Sequence, residues 1–129
     1  MQITENIAIQ TRVNGDLLDV ELIAKGKLSH ADYTVMIPML EQALKSIPDV
    51  KVNMLIDALE LEGWELEAAW DDFKFGMEYK DVFVKIAIVG TKKWQEYSTK
   101  IGNWFMHGDV KFFYDLDEAN MWIKQITSP

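Results

Sequence analysis

The first quarter of the chain alternates apolar and polar residues in the way that is typical of β-strands. Two such segments, Ile3–Val13 and Leu17–Ala24, lie on either side of Asn14-Gly15. Because Asn-Gly tolerates the positive φ angles of a tight hairpin turn, the two segments are predicted to pair as antiparallel strands. Gly26 has no side chain to pack and is expected to break the second strand.

The apolar spacing changes after Ser29 from two residues to about 3.6, which predicts a helix. Ser29 is a good helix cap, and Asp32, three residues later, can return a hydrogen bond to the cap. Pro38 lies inside the apolar run and is expected to kink or break the helix, because proline lacks an amide hydrogen. Pro48 and Asp49 should end the element.

Three later segments are rich in β-branched and aromatic residues and predict further strands. They are Val50–Ile56, Phe83–Val89 and Val110–Tyr114. The second is apolar almost throughout apart from Lys85, as expected of a strand that is covered on both faces.

Helical patterns lie between and after these strands. They predict helices after Gly63, from a Thr91 cap, and from an Asp115 cap that has Glu118 three residues on. The apolar face of the helix after Gly63 is predicted to comprise Leu66, Ala69, Trp70, Phe73 and Met77, with Phe75 and Tyr79 projecting away from it. The predicted core face of the last helix comprises Leu116, Ala119, Trp122, Ile123 and Ile126.

The resulting element order is ββαβαβαβα over a single domain, residues 1–129. A hairpin followed by alternating strands and helices predicts the α/β class. We expect a mixed, mostly parallel sheet of about five strands, with about four helices packed on it.

Composition narrows the classes of function. The chain has 21 acidic and 13 basic residues and a net charge of −8, which disfavours a nucleic-acid groove because phosphate backbones are bound by basic surfaces. It has no cysteine, which excludes disulfides and thiolate chemistry. The amino terminus has no signal-peptide pattern, and no segment is apolar for the length of a membrane span, so a cytoplasmic address is expected.

Several stretches together resemble the SpoIIAA-like branch of the STAS/SEC14-type domains, which are small bacterial proteins. The matching stretches are 26–33, Gly63-Trp64, 69–76, 85–90 with Trp94, and 110–113 with Ala119 and Trp122. The resemblance implies partner switching, in which a serine after a central strand is phosphorylated. The equivalent stretch here, 57–62, has no Ser or Thr, so that switch is expected to be absent. The SEC14-like side of the resemblance implies uptake of lipid-like ligands by helices that open over an apolar cavity.

The sequence shows no catalytic or metal-binding constellation, so no enzyme activity, metal or cofactor is expected. His30 and His107 lack a second ligand at metal-binding spacing, and each is expected to be exposed or to cap a helix. Asp71 and Asp72 are consecutive on a predicted helix, so their carboxylates should diverge by about 100°. We therefore expect them on a solvated helix face.

Two features point to ligand binding. Lys92 and Lys93 lie in the first turn after Thr91, where helix amides and two ammonium groups would attract a phosphate or carboxylate headgroup. The aromatic content of two adjacent helices exceeds what one core face needs. The candidate apolar walls are Trp70, Phe73, Met77, Trp94, Tyr97 and Ile101.

These features support a non-enzymatic module for a nonpolar or amphiphilic, lipid-like small molecule, with weak association with an anionic membrane surface. The ordinary alternatives are that both aromatic stripes are core and that the lysines point to solvent. The competing functional hypothesis is a protein–protein interaction module or homodimer seam that works without phosphorylation.

Overall fold

The computed structural model describes residues 1–91 and 109–125. The five strands are β1 (Ile7–Asn14), β2 (Leu17–Leu28), β3 (Lys51–Trp64), β4 (Phe83–Val89) and β5 (Asp109–Phe113). The three helices within these ranges are α1 (His30–Lys45), α2 (Leu66–Glu78) and α3 (Leu116–Lys124). The helix predicted to follow Thr91 lies outside the described residues.

The five strands form one sheet in the order β1-β2-β3-β4-β5. β1 and β2 are antiparallel, and each of the other three neighbouring pairs is parallel. Each of the connections from β2 to β3 and from β3 to β4 contains a helix, as parallel neighbours require. The predicted α/β class with a mixed, mostly parallel sheet is therefore confirmed.

Glycine decides the path of the hairpin at two places. Asn14 pairs with Leu17 across a turn in which Gly15 has φ 68°, so the predicted hairpin is confirmed. Gly26 also has a positive φ, 67°, but the prediction that it breaks the strand is wrong. β2 continues to Leu28, with shifts of register beside the glycine, because the glycine absorbs an irregularity instead of ending the pairing.

β3 is longer than the strand predicted from the apolar segment Val50–Ile56. The predicted strand ends at Ile56, whereas β3 continues to Trp64 and pairs with the extended β2, Leu28 opposite Trp64. The backbone of each strand provides hydrogen-bonding partners for the other, and this pairing outweighs the polar composition of the segment after Asp57. Residues 57–62 therefore belong to a strand.

The helices pack on opposite faces of the sheet. Met54 contacts the core beneath α1 and α2, whereas its neighbour Leu55 belongs to the core beneath α3. Consecutive strand residues point to opposite faces, so α3 lies on the face opposite α1 and α2. The two apolar clusters explain why the central strands are apolar along most of their length.

The first helix begins as the sequence predicts. The Ser29 side chain accepts a hydrogen bond from the Asp32 amide, and Oδ2 of Asp32 accepts from the Ser29 amide at 2.9 Å. Burial alone would raise the pKa of Asp32, but its hydrogen bonds to Ser29 and Asn6 hold that pKa below its ordinary value. Pro38 lies inside a continuous helix of 16 residues, so it does not break α1.

The buried Lys85 of β4 binds the carboxyl end of the last helix, α3. Lys85 is 5% exposed, and its Nζ donates hydrogen bonds to the carbonyl oxygens of Trp122 at 3.1 Å and Gln125 at 2.8 Å. These carbonyls lie at the carboxyl end of α3, which carries partial negative charge. Lys85 thus donates to the Gln125 carbonyl at the helix end, and to the Trp122 carbonyl, which also accepts from the Gln125 amide.

Candidate functional site

An exposed apolar face runs along α2. Leu66 is 89% exposed, Trp70 57% and Met77 41%. With about 3.6 residues per turn, these three positions lie within about 40° of one another around the helix axis. We call Leu66, Trp70 and Met77 the α2 apolar face.

The core-facing side of α2 is opposite its predicted apolar face. Ala68 and Phe75 are buried in the main core, whereas Leu66, Ala69 and Trp70 of the predicted face are exposed. The alternative that the aromatic stripe of α2 is core is therefore wrong for Trp70 and Met77, because both sides of this helix are apolar and hydrophobic periodicity alone cannot say which side meets the sheet.

Phe75 and Tyr79 project away from the α2 apolar face, as predicted, and lie between α2 and its neighbours. Their ring centroids are 4.9 Å apart, and the Tyr79 hydroxyl donates to Oε2 of Glu41 on α1 at 2.7 Å. This hydrogen bond to Glu41, together with partial burial, raises the pKa of Tyr79 to about 12. Tyr79 therefore stays protonated and fixes the carboxyl end of α2 to α1.

A second link joins α1 and α2 near their amino ends. Nδ1 of His30 lies 2.5 Å from Oδ2 of Asp71. Asp71 is 7% exposed, so the expectation that it lies on a solvated face is wrong, because α1 supplies a partner that the sequence does not place there. The His30 side chain is still 44% exposed, as the sequence predicts for a residue at the start of a helix.

The pairing with Asp71 changes the pKa of the His30 imidazole. The hydrogen bond to Asp71 raises the pKa of His30 above its ordinary value. Desolvation opposes this shift, the negative charges of Asp71 and Glu67 reinforce it, and Lys74 opposes it. A protonated imidazole beside a carboxylate forms a charge-assisted hydrogen bond, which is stronger than a neutral one.

The His30–Asp71 pair and the start of the α2 apolar face lie at the carboxyl ends of β2 and β3, where α1 and α2 begin. The amide of Glu65 donates to the Leu28 carbonyl at 2.8 Å, and Nε1 of Trp64 donates to the Tyr33 hydroxyl at 3.1 Å. Ligands of open α/β sheets commonly bind at the carboxyl ends of the strands. His30 and the first two turns of the α2 apolar face therefore border a position that is typical of a binding site.

Only some of the predicted site residues fall within the described structure. Trp70 and Met77 lie together on the α2 apolar face. The side chain of Phe73 and all of Trp94, Tyr97, Ile101, Lys92 and Lys93 lie outside the described residues, so the second apolar wall and the headgroup contact stay predictions. The His30–Asp71 pair was missed because its partners are 41 residues apart and only the packing of two helices joins them.

The described residues do not form a metal centre or a membrane span. Across 1–91 and 109–125, no group of three or more His, Asp or Glu side chains is arranged to hold a metal ion. Over the same ranges, no helix is both long and apolar enough to cross a membrane. What the site offers is an apolar helix face with a histidine–carboxylate pair beside it.

The fold is a five-stranded mixed sheet with helices on both faces, and one helix at its carboxyl edge is exposed. This arrangement defines a small α/β binding or interaction domain. The chain belongs to the SpoIIAA-like family, whose model matches residues 20–124. It is similar to the crystal structure of an uncharacterised protein of the DUF3478 family with a SpoIIAA-like fold from Shewanella loihica PV-4. That similarity has 42% identity and a TM-score of 0.78, and covers 92% of this chain and 94% of the other. No curated protein matches the chain.

The family resemblance inferred from the sequence is thereby confirmed, and it supports a small binding or interaction module. Residues 57–62 carry no hydroxyl side chain and lie in β3, so this stretch offers no serine or threonine acceptor for a phosphoryl group.

Proposed function

We propose that the protein is a non-enzymatic binding module that contacts a nonpolar or amphiphilic, lipid-like partner through the α2 apolar face. The observation that carries the proposal is the exposure of Leu66, Trp70 and Met77 along one side of a single helix. Isolated exposed apolar side chains are ordinary, whereas several on one face are characteristic of an interaction surface.

The size of the face limits the strength of binding. Leu66, Trp70 and Met77 together expose on the order of 300 Å² of apolar surface. Covering this area contributes about 7 kcal/mol at about 25 cal/mol per Å². Most of that is offset by the lost translational and rotational freedom of the partner. Binding through this face alone should therefore be weak, in the micromolar range or weaker.

Charge favours a partner without a large negative headgroup. Glu67 and Glu78 lie on α2 beside the apolar face, and the whole chain has a net charge of −8. Like charges repel, so attraction to an anionic membrane would be local and confined to lysines such as Lys74. A neutral or zwitterionic amphiphile fits this surface better than an anionic one.

Native mass spectrometry of the purified chain, with denaturation to identify co-purifying molecules, tests the proposal. We expect adducts with the mass of a neutral or zwitterionic lipid that are lost in a Trp70→Gln/Met77→Gln double variant. Met121, which is 70% exposed on α3, provides the matched control. Met121→Gln should keep the adducts, because it removes an exposed methionine from the other side of the sheet.

Two outcomes would contradict the proposal. The first is a clean apo mass from lipid-containing extracts that bind a control lipid carrier. The second is equal loss of adducts in Met121→Gln and in the α2 double variant, which would show that binding does not depend on the α2 face.

A second candidate function is docking to another protein, including a second copy of this chain. The observation that favours it is that Leu66, Trp70 and Met77 lie on the outer side of one helix. An outer helix face suits the groove of a partner protein. Light scattering at increasing protein concentration distinguishes docking to a second copy from binding of a lipid-like ligand. A dimer that the Trp70→Gln/Met77→Gln variant dissociates would favour the interface, whereas a monomer that carries adducts would favour the ligand.

A further inference from the structure

β1 is the first strand of the sheet, so only one side of its backbone pairs with another strand of the sheet, β2. On its other side, Ile9 exchanges two hydrogen bonds with Met1, each of 2.9 Å. Successive residues of an antiparallel strand direct their amides and carbonyls to opposite sides. Thr11 and Val13, which follow Ile9 in steps of two, therefore direct theirs away from β2 as well.

These outward backbone groups of β1 are paired over only part of the strand. Residues 1–3 cover them as far as Ile9. Across residues 1–91 and 109–125, nothing pairs with the outward amide and carbonyl of Thr11 or of Val13. Thr11 is exposed, and Val13 is 61% exposed. We call the outward backbone of residues 11–13 the open edge. Unpaired groups of this kind are a template for a further strand.

Arg12 gives the open edge a positive charge. Ile9 belongs to the core beneath α1 and α2, so Thr11 and Val13 face the same side of the sheet and Arg12 faces the other. The cross-strand neighbour of Arg12 on β2 is Asp19, yet Arg12 forms no ion pair with any described residue. Its exposed guanidinium therefore keeps its donors for a carboxylate on the outer side of β1.

This charge opposes pairing of the open edge with a second copy of the chain. An antiparallel pair that uses Thr11 and Val13 of both copies places the two Arg12 side chains directly opposite each other, which is destabilising. Pairing Thr11 with its own copy brings Val13 opposite Ile9, whose outward groups are already bonded. Pairing Val13 with its own copy brings Thr11 opposite Gly15, which lies in the hairpin turn with φ 68°. A partner of different sequence fits better.

We infer that the open edge binds an extended segment of another protein, with an acidic residue opposite Arg12 between two β-branched residues. The segment adds to the sheet antiparallel to β1, the direction in which residues 1–3 already pair with it. Its β-branched residues exchange backbone hydrogen bonds with Thr11 and Val13. Arg12 then lies in a non-hydrogen-bonded pair, in which opposite Cα atoms are only about 4.5 Å apart. A carboxylate at this position accepts charge-assisted hydrogen bonds from the guanidinium.

The inference goes beyond the proposed function, because the open edge lies on β1 and the α2 apolar face on α2. The test is a titration of the full chain with the peptide acetyl-Thr-Val-Glu-Val-Thr-amide, followed by amide NMR, which detects the millimolar affinity expected of so short a contact. We expect saturable shifts at residues 11–13 and slower hydrogen exchange of the Thr11 and Val13 amides. The amide of Arg12 points toward β2 and is the internal control, with little change in exchange.

Two variants test the backbone and the charge separately. Val13→Pro removes an outward amide and keeps the pairing with β2, since an edge strand tolerates proline whose nitrogen faces solvent. It should weaken peptide binding about tenfold, whereas Val13→Ala, which keeps the amide, should weaken it less than about threefold. Arg12→Glu should weaken binding of this peptide about fivefold and strengthen binding of acetyl-Thr-Val-Lys-Val-Thr-amide by a similar factor. Because Arg12 is exposed, this reversal tests the proposal even if Val13→Pro fails to fold.

The proposal is overturned if the peptide gives no saturable shift, if a folded Val13→Pro binds as tightly as Val13→Ala, or if Arg12→Glu leaves the preference between the two peptides unchanged. Shifts at residues 11–13 that depend on protein concentration without peptide would show that a second copy covers the open edge, which also overturns it. The Trp70→Gln/Met77→Gln variant should bind the peptide as the parent does, and loss of binding there would place the peptide on α2 instead.

Discussion

The replacement of Lys85 by methionine tests how the sheet holds α3. Methionine keeps most of the apolar stem of lysine and removes the ammonium group, so the change leaves no large cavity. It deletes the hydrogen bonds from Nζ to the carbonyls of Trp122 and Gln125, and the contact of Nζ with the Trp122 ring, whose centroid is 5.2 Å away.

The expected cost follows from what remains after the change. Gln125 is exposed, so water can satisfy its carbonyl, and the Trp122 carbonyl keeps the hydrogen bond from the Gln125 amide at 3.2 Å. The change therefore leaves no carbonyl unsatisfied, but loss of a hydrogen bond to a charged group costs about 1.5–3 kcal/mol. Loss of a cation at the carboxyl end of a helix adds about 0.3–2 kcal/mol. Relief of the desolvation of the buried ammonium offsets part of both. We therefore expect a net loss of about 2 kcal/mol in the free energy of unfolding, or about 6–10 °C in Tm.

Urea unfolding and thermal melts of Lys85→Met and of Lys51→Met measure this effect. Lys51 is an exposed lysine on β3, so its replacement should change the free energy of unfolding by less than about 0.5 kcal/mol. If Lys85→Met is as stable as the parent or more stable, desolvation of the ammonium cancels its hydrogen bonds, and the reasoning that Lys85 stabilises α3 is refuted.

Three further results are expected. The raised pKa of His30 means that its pairing with Asp71 stabilises the fold fully below the unfolded pKa of about 6.5, and that this contribution is lost as pH rises through the folded pKa. An NMR titration should show this raised pKa return toward its ordinary value in Asp71→Asn, and an unchanged pKa would contradict the pairing. Asp32→Ala should lower the free energy of unfolding by about 2 kcal/mol in urea denaturation, since it removes the capping box, and a change below about 0.5 kcal/mol would count against the cap. Gly26→Ala and Gly15→Ala both place a side chain at positive φ, but the added Cβ lies 3.1 Å from a side-chain oxygen only at Gly26. Thermal melts should therefore show the larger loss for Gly26→Ala, and equal losses would show that the contact adds nothing.

Features encoded locally could be predicted from the sequence. The Asn14-Gly15 hairpin, the Ser29 cap and the strand Phe83–Val89 each depend on residues that are adjacent or a few positions apart, and all three are confirmed. The physical reason is that turn conformation, helix capping and the alternation of a strand are satisfied within one segment. The class of the sheet followed from the order of these elements.

The ends of the long strands could not be predicted in the same way. The segment of β3 after Asp57 is polar and does not resemble a buried strand, yet it pairs with β2 as far as Trp64. Backbone pairing with a neighbour that is distant in sequence determined this extension. The bulge at Gly26 has the same origin, because a register shift exists only between two paired strands.

The candidate sites show most clearly what the tertiary structure decided. The sequence determined that α2 is apolar on two sides, that an isolated lysine lies within β4, and that His30 and Asp71 are present. Which side of α2 meets the core, what satisfies Lys85, and whether His30 meets Asp71 all depend on elements brought together from distant parts of the chain. Hydrophobic periodicity fixes the angle of a side chain around its own helix or strand, but only packing fixes what that side chain faces.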